Sequence, residues 1–266
     1  MNDSDSMLSV GSHAGGHCQL VIVKDIDDFM LIGETIDDAP GEAYDKTARR
    51  MKLRNISEYA QLSGGKAIET AAAKAKNPYT FQFPLPLVRN RDCNFSFSGL
   101  KDAVIYYLIQ KEKEHGILGD GVIPEINELC ASFQLAITEH LMHRILRAMV
   151  FSELTKLIPE HNKVLVVSGG VACNDFIYKS IKALGNKMNY QVYRPPPKAC
   201  TDNGIMIAWN GVEKLKKGYK FGQNFDMKLI DPKAPLGENL INEVQKAHLP
   251  VKPVRFKNLH TNIEEY

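Results

Sequence analysis

The stretch Ser168-Gly169-Gly170-Val171-Ala172-Cys173-Asn174 decides the fold. It follows the β-branched run Val164-Leu165-Val166-Val167 and opens a helix predicted over residues 174–184. A buried strand, a glycine pair and a helix N-terminus make a socket for an anion. The glycines let the backbone come close, and free helix N–H groups carry partial positive charge. A second element of the same kind follows, where Pro195-Pro196-Pro197 ends a strand and Cys200-Thr201-Asp202-Asn203-Gly204 opens another helix. Two such turns in tandem point to a nucleotide-type ligand at the strand ends of an α/β sheet.

Working outward, the final third alternates strand and helix over 163–168, 174–185, 190–194 and 202–217, the pattern of a mixed or parallel sheet. Residues 18–23 and 29–35 alternate as a hairpin. Helices are predicted over 42–53, 66–75, 98–113 and 125–157. Residues 77–97, rich in proline and aromatics, read as an extended loop with short strands. After Gly218 periodicity is lost, and the remainder reads as a surface-hugging tail. A hairpin, a helix, a helical insertion and then β-α-β-α resembles one ribonuclease-H-like half of an actin-like fold.

The bulk properties are those of an ordinary globular chain of 266 residues, with 44% hydrophobic and 24% charged content. A net charge of +2 neither requires nor excludes a nucleic-acid partner. Cys18, Cys93, Cys130, Cys173 and Cys200 form no C-x-x-C pair, which favours reduced thiols over a disulfide framework. No apolar run approaches a membrane span, and no membrane partner is expected. The acidic opening Met1-Asn2-Asp3-Ser4-Asp5-Ser6 resembles neither a signal peptide nor a transit peptide.

Several polar positions carry two readings. Gly15-Gly16-His17 is a phosphate-cradling hairpin or a flexible strand entry. Asp37 and Asp38 lie near a helix N-cap with Pro40 in its first turn. Asp45 lies beyond that turn, either on a solvated face or pointing inward to accept hydrogen bonds from a ligand. Ser63-Gly64-Gly65 is an N-cap or a ligand contact, and Glu69 could face either way. His140 and His143 have an i, i+3 spacing seen in metal sites, but their neighbours Leu141, Ile145 and Leu146 read as core. Asp202 caps its helix or binds a cation. Lys214, Lys216, Lys217 and Lys220 suit a solvated helix end or RNA phosphates. No Ser-His-Asp or Cys-His nucleophile can be assembled.

Five motifs in order resemble one family. They are the run from Asp37 to Lys46, Phe95-Ser96-Phe97-Ser98-Gly99-Leu100-Lys101, Ala131-Ser132-Phe133-Gln134, the turn from Ser168 to Asn174, and the run from Cys200 to Ala208. They look like the tRNA N6-adenosine threonylcarbamoyltransferases, with the Cys200 to Trp209 run most similar to the mitochondrial members. The resemblance implies an α/β fold of the ASKHA (actin-like ATPase, ribonuclease-H-like) type. It implies transfer of threonylcarbamoyl from threonylcarbamoyl-AMP to N6 of adenosine 37 in tRNAs reading ANN codons, in mitochondria and from a homodimer. Substrate-binding positions would be Ser12, His13, Ala14, Gly15, Gly16, Asp45, Gly65, Glu69, Cys173, Asn174 and Thr201. Asp202 would ligate one divalent metal ion per subunit.

The departures are equally specific. The family's metal site also takes two histidines from an H-x-x-x-H motif well ahead of the glycine segment. Only fourteen residues precede Gly15, so those two ligands are expected to be absent. The chain is then essentially the second lobe with a helical insertion over about 55–160, and the first lobe is largely missing. This divides it into an atypical segment 1–14, a family domain 15–218 and a tail 219–266. Besides the enzyme, the resemblance leaves open a catalytically silent binding or dimerisation module. A generic phosphotransferase of the same superfold is disfavoured by the five motifs.

Overall fold

The computed structural model describes residues 6–13, 17–200, 204–220 and 235–256. Its strands are β1 (Met7–His13), β2 (His17–Val23), β3 (Phe29–Glu34), β4 (Val164–Gly169), β5 (Gln191–Tyr193) and β6 (Glu238–Asn239). They form one mixed sheet in the order β5-β4-β1-β2-β3-β6. β2 is antiparallel to β1 and β3, whereas β4 is parallel to β1 and β5 to β4. A three-stranded meander extended by parallel strands beyond β1 agrees with the expected α/β sheet of ribonuclease-H-like type.

The register explains the core. Leu165, Leu8, Ile22 and Met30 are successive partners across four strands, and Val167, Val10 and Leu20 make the next rung. All are buried on one face. Each such side chain contributes about 2 kcal/mol by leaving water. The helices are α1 (Pro40–Arg50), α2 (Gly64–Ala72), α3 (Ser98–Glu114), α4 (Ile126–Leu154), α5 (Asp175–Lys187), α6 (Gly204–Lys216) and α7 (Ile241–Lys246). Leu141 of α4 meets Val10, Cys18 and Val167 on the buried face. With α2, α3 and α5 also against it, α4 is buried on nearly every side.

Each buried polar side chain inside α4 finds at least one partner, although His140 Nδ1, His143 Nδ1, Arg144 Nε and Arg147 Nε have none among the described residues. His140 Nε2 accepts from the Ser96 amide at 3.1 Å, and its ring stands edge-on to Phe95 and Phe97. Both His140 and His143 are fully buried core residues. Burial, reinforced by the Arg144 cation, pushes His140 down to about 3 and His143 down to about 4.

The structure corrects the sequence reading at three places. Met7–His13, not read as a strand, is the central strand β1. Asp37 does not cap α1, whose N-cap Ala39 makes no side-chain bond. It reaches α3 instead, accepting from the Phe97 amide at 2.8 Å and from the Ser96 and Ser98 hydroxyls. Burial raises the Asp37 pKa, but these hydrogen bonds outweigh it and hold the carboxyl below its ordinary value. The stretch after Gly218 also returns to the fold. β6 pairs with β3, and Val244 and Leu249 are buried.

Two outcomes follow for stability. Asp37→Ala removes the α3 cap and should cost about 1 kcal/mol in urea unfolding at pH 7. That contribution is present above the ordinary carboxylate pKa and fades as pH falls through the lowered folded value. The two histidines act earlier. Between pH 6.5 and about 4 the unfolded chain takes up protons that folded His140 and His143 refuse. Stability should fall by roughly 1–2 kcal/mol per histidine from pH 7 to pH 5. An unchanged urea midpoint over that range contradicts their neutral burial.

Candidate functional site

The end of β4 carries the turn read first in the sequence. Gly169 has φ 75°, a conformation that requires glycine, and leads into the 3-10 turn Gly170–Cys173. A Cβ on Gly170 or on Gly65 would meet nothing within 4 Å, so bare backbone faces open space at both. Ser12 pairs with Gly169, which sets the end of β1 beside the turn.

Asn174 is the N-cap of α5 and is buried. Its Oδ1 accepts from the Ile177 amide at 3.0 Å, while its Nδ2 donates to Gln134 Oε1 of α4 at 2.9 Å. Glu69 of α2 reaches the same helix end, where its Oε1 accepts from the Asp175 amide at 2.8 Å. Its other oxygen accepts from Lys66 at 2.9 Å. The supposed anion socket at α5 is thus partly filled by the protein's own carboxylate and amide. An incoming anion is left the glycine backbone of the turn rather than the first amides of α5.

The remaining positions gather around this point. A Cβ on Gly64 would come 2.8 Å from the Asp45 Cα, so α1 and α2 cross closely there and Asp45 stands beside the start of α2. Tyr44, its neighbour in α1, is buried, and burial together with the Glu69 carboxylate pushes its phenol up. Cys173 Sγ donates to Pro197 O at 3.6 Å, and the Cys200 amide donates to the same oxygen at 3.2 Å. Arg194 braces the rim, bonding Ala172 O at 2.9 Å and Asp175 at 2.6 Å.

Among the sequence-predicted residues, the structure therefore brings together Asp45, Gly65, Glu69, Cys173 and Asn174. Ser12 and His13 are placed by backbone register at the end of β1. Ala14, Gly15, Gly16, Thr201 and Asp202 lie outside the described residues. Ser63 is an N-cap, accepting from the Lys66 amide.

Residues 11–209 match the family described as tRNA N6-adenosine threonylcarbamoyltransferase. The chain belongs to that family. The mitochondrial tRNA N6-adenosine threonylcarbamoyltransferase of Danio rerio is 41% identical over 92% of this chain, and that of Homo sapiens 39% over 92%. The tRNA N6-adenosine threonylcarbamoyltransferase of Anaplasma marginale is 38% identical over 83%. This chain covers 60%, 59% and 58% of those three proteins. A solved activator of 2-hydroxyisocaproyl-CoA dehydratase from Clostridium difficile shares 13% identity over 84% of this chain and 66% of its own, at a TM-score of 0.34, too loose a likeness to argue from.

The metal implied by the family resemblance was tested against the donors present. Among the described residues, Glu114, His115 and Glu125 converge within 4.8 Å and could hold a cation. The Lys111 ammonium already pairs with both carboxylates there, and His115 lies 3.0 Å from Glu125. None of these belongs to the site around Asn174, so they do not fit as the family's metal ligands. The expectation that the chain holds no H-x-x-x-H at all is wrong, because His13 and His17 have that spacing. The register sets the two directly opposite each other across the β1–β2 hairpin.

Sequence reasoning also missed Gln134 and Tyr44. A glutamine in an apolar helical run is the available signal, since a buried amide demands partners. Gln134→Leu strands the Asn174 amide and should lower unfolding free energy by about 1–3 kcal/mol. Gln134→Glu, which keeps the acceptor, should recover part of that loss in the same denaturation measurement.

Proposed function

We propose that this chain contributes to transfer of the threonylcarbamoyl group from threonylcarbamoyl-AMP to N6 of adenosine 37 in tRNAs that read ANN codons. The observation that carries this reading is the convergence of Asp45, Gly65, Glu69, Cys173 and Asn174 around one glycine turn, within the segment matched to the family. Open backbone at Gly65 and Gly170 suits the adenylate phosphate and sugar. Glu69 and Asp45 suit hydroxyl and amine donors of the ligand. Gly15, Gly16 and Thr201, which lie outside the described residues, are proposed as further substrate-binding positions.

In this reaction the N6 amine attacks the carbamoyl carbon, the bond to the phosphate oxygen breaks, AMP leaves with the electron pair, and the proton lost by N6 passes to solvent. Holding the two reactants together supplies most of the rate, so no protein nucleophile is required. A divalent ion would add charge stabilisation at the phosphate. Asp202 is its proposed ligand.

We infer further that residues 15–218 act as one lobe of a two-lobed enzyme, with 1–14 and 219–266 as flanking segments. The relatives' greater length supports this. A mitochondrial site of action follows the names of the Danio rerio and Homo sapiens relatives. No helix among the described residues is long and apolar enough to cross a membrane. A homodimer is supported by α6, on which Ile205, Ile207, Trp209 and Leu215 are each more than half exposed.

The test is incubation of the purified chain with threonylcarbamoyl-AMP and an unmodified ANN-reading tRNA, with the modified nucleoside quantified by mass spectrometry. The chain by itself is expected to give little or no product, because one proposed carboxylate falls short of the three protein ligands that a catalytic metal site usually takes; binding of the adenylate and of the tRNA is read separately. Replacing adenosine 37 with guanosine should abolish any product. Failure of the chain to bind either the adenylate or the tRNA overturns the reading.

A further inference from the structure

The aromatic loop between α2 and α3 roofs a cavity that belongs to no part of the site around Asn174. The cavity holds about 400 Å³ and is walled by Tyr79, Phe81 and Phe83, with Ser132 of α4 as floor and Glu139 and Arg255 at one end. The wall is held in place. Ser132 Oγ donates to Pro78 O at 2.9 Å and accepts from the Phe81 amide at 3.2 Å. Phe83 stands edge-on to Tyr107, with ring centroids 5.5 Å apart. Glu139 is nearly buried, and its carboxylate accepts from Arg255 at 2.8 Å and from the Phe256 amide at 2.9 Å.

Glu139, His143 and Arg147 follow at i, i+4 and i+8 on one stripe of α4, spanning about 12 Å. At the far end of the stripe lie Arg144 and Arg147, the two largest fully buried side chains. Their guanidiniums donate to the carbonyls of Leu87, Asn90 and Asp92, and Arg144 has the Asp92 carboxylate at 3.6 Å. Two buried cations against one carboxylate leave net positive charge under the loop. Burial holds the Arg147 guanidinium below its ordinary value, and the nearby Arg91 cation pushes it slightly in the same direction. Both Arg89 and Arg91 are exposed. The same loop thus presents aromatic rings at one end and the exposed Arg89 and Arg91 at the other, with Arg91 donating to His248 O at 3.4 Å.

We propose that this face binds single-stranded RNA, taking one unstacked base into the aromatic cavity and neighbouring phosphates at Arg89 and Arg91. This rests on the reading of tRNA as substrate and places part of the tRNA on the chain. Rigid rings beside a basic strip are the general recipe for single-strand binding, because every base has a stackable face. The cavity is within the size range of small-ligand pockets. Ser132, on its floor, and Gln134, which holds Asn174, lie on the same helix. The bound base would therefore sit about one helix diameter, roughly 10 Å, from the transfer site. An acidic protein segment is the other polyanion that two exposed arginines could attract, but it has no use for the aromatic wall.

The experiment measures binding of an unmodified ANN-reading tRNA to the full chain by fluorescence anisotropy across 50–200 mM salt. The double variant Arg89→Glu/Arg91→Glu alters exposed side chains only, and its fold is checked by circular dichroism. It should bind at least 10-fold more weakly and flatten the log–log salt slope by about 1.4, as two lost single-strand phosphate contacts require. Phe83→Leu, which keeps an apolar filler, should weaken binding about 5-fold without changing the slope. The control Lys182→Glu/Lys187→Glu on α5 should have little effect. Wild-type tRNA affinity and slope in the Arg89/Arg91 variant overturn this face while leaving the proposed function intact. Equal losses in the α5 control overturn it as well. Poly-glutamate displacing tRNA as well as oligoadenylate does would overturn it in favour of an acidic protein partner. A wild-type chain that ignores tRNA at every salt concentration overturns both readings.

Discussion

The buried amide pair between Gln134 and Asn174 ties the site to the core. Gln134 lies on a helix surrounded by packed side chains, so its position cannot drift. Asn174 is held by it at one end and by the first turn of α5 at the other. The glycine turn that precedes Asn174, with the Cys173 contact at its end, inherits that placement. A surface loop with the same residues would sample many geometries. Here the entropy of ordering the turn has already been lost on folding.

α4 does this because it is buried on nearly every side and still carries polar groups. Each of those groups reaches a different partner. Gln134 reaches α5, Ser132 the aromatic loop, His140 the segment entering α3, and Arg144 and Arg147 the carbonyls of Leu87, Asn90 and Asp92 before that segment. An interior helix whose polar side chains made no hydrogen bond at all would destabilise the fold. Paired, they position the irregular segments that strands and helices cannot.

Much of this was legible in the chain. Alternation over 29–35 and the β-branched run before Ser168 located β3 and β4, and helical spacing located α2 to α5 within a few residues. The strand β1 was not legible. Leu8 and Val10 are its inward residues, flanked by serines and glycines of low strand preference, and the strand exists because both of its edges are paired. Asp37 misled for a related reason. Local spacing offered it α1, whereas the partner it serves is about sixty residues away at α3. In the tail, Val244 and Leu249 were too sparse to show a period, yet each finds a buried place.

By itself the sequence determined the element types, the order of motifs and the family, since these rest on local periodicity and on runs of neighbouring residues. Only the tertiary structure decided which polar groups meet. It turned the α5 N-terminus from an open anion socket into an end already engaged by Glu69 and Asn174. It also set the aromatic loop and the buried arginines along one stripe of α4. The physical reason is that hydrogen-bond partners far apart in the chain are chosen by packing, and spacing along the sequence carries no record of that choice.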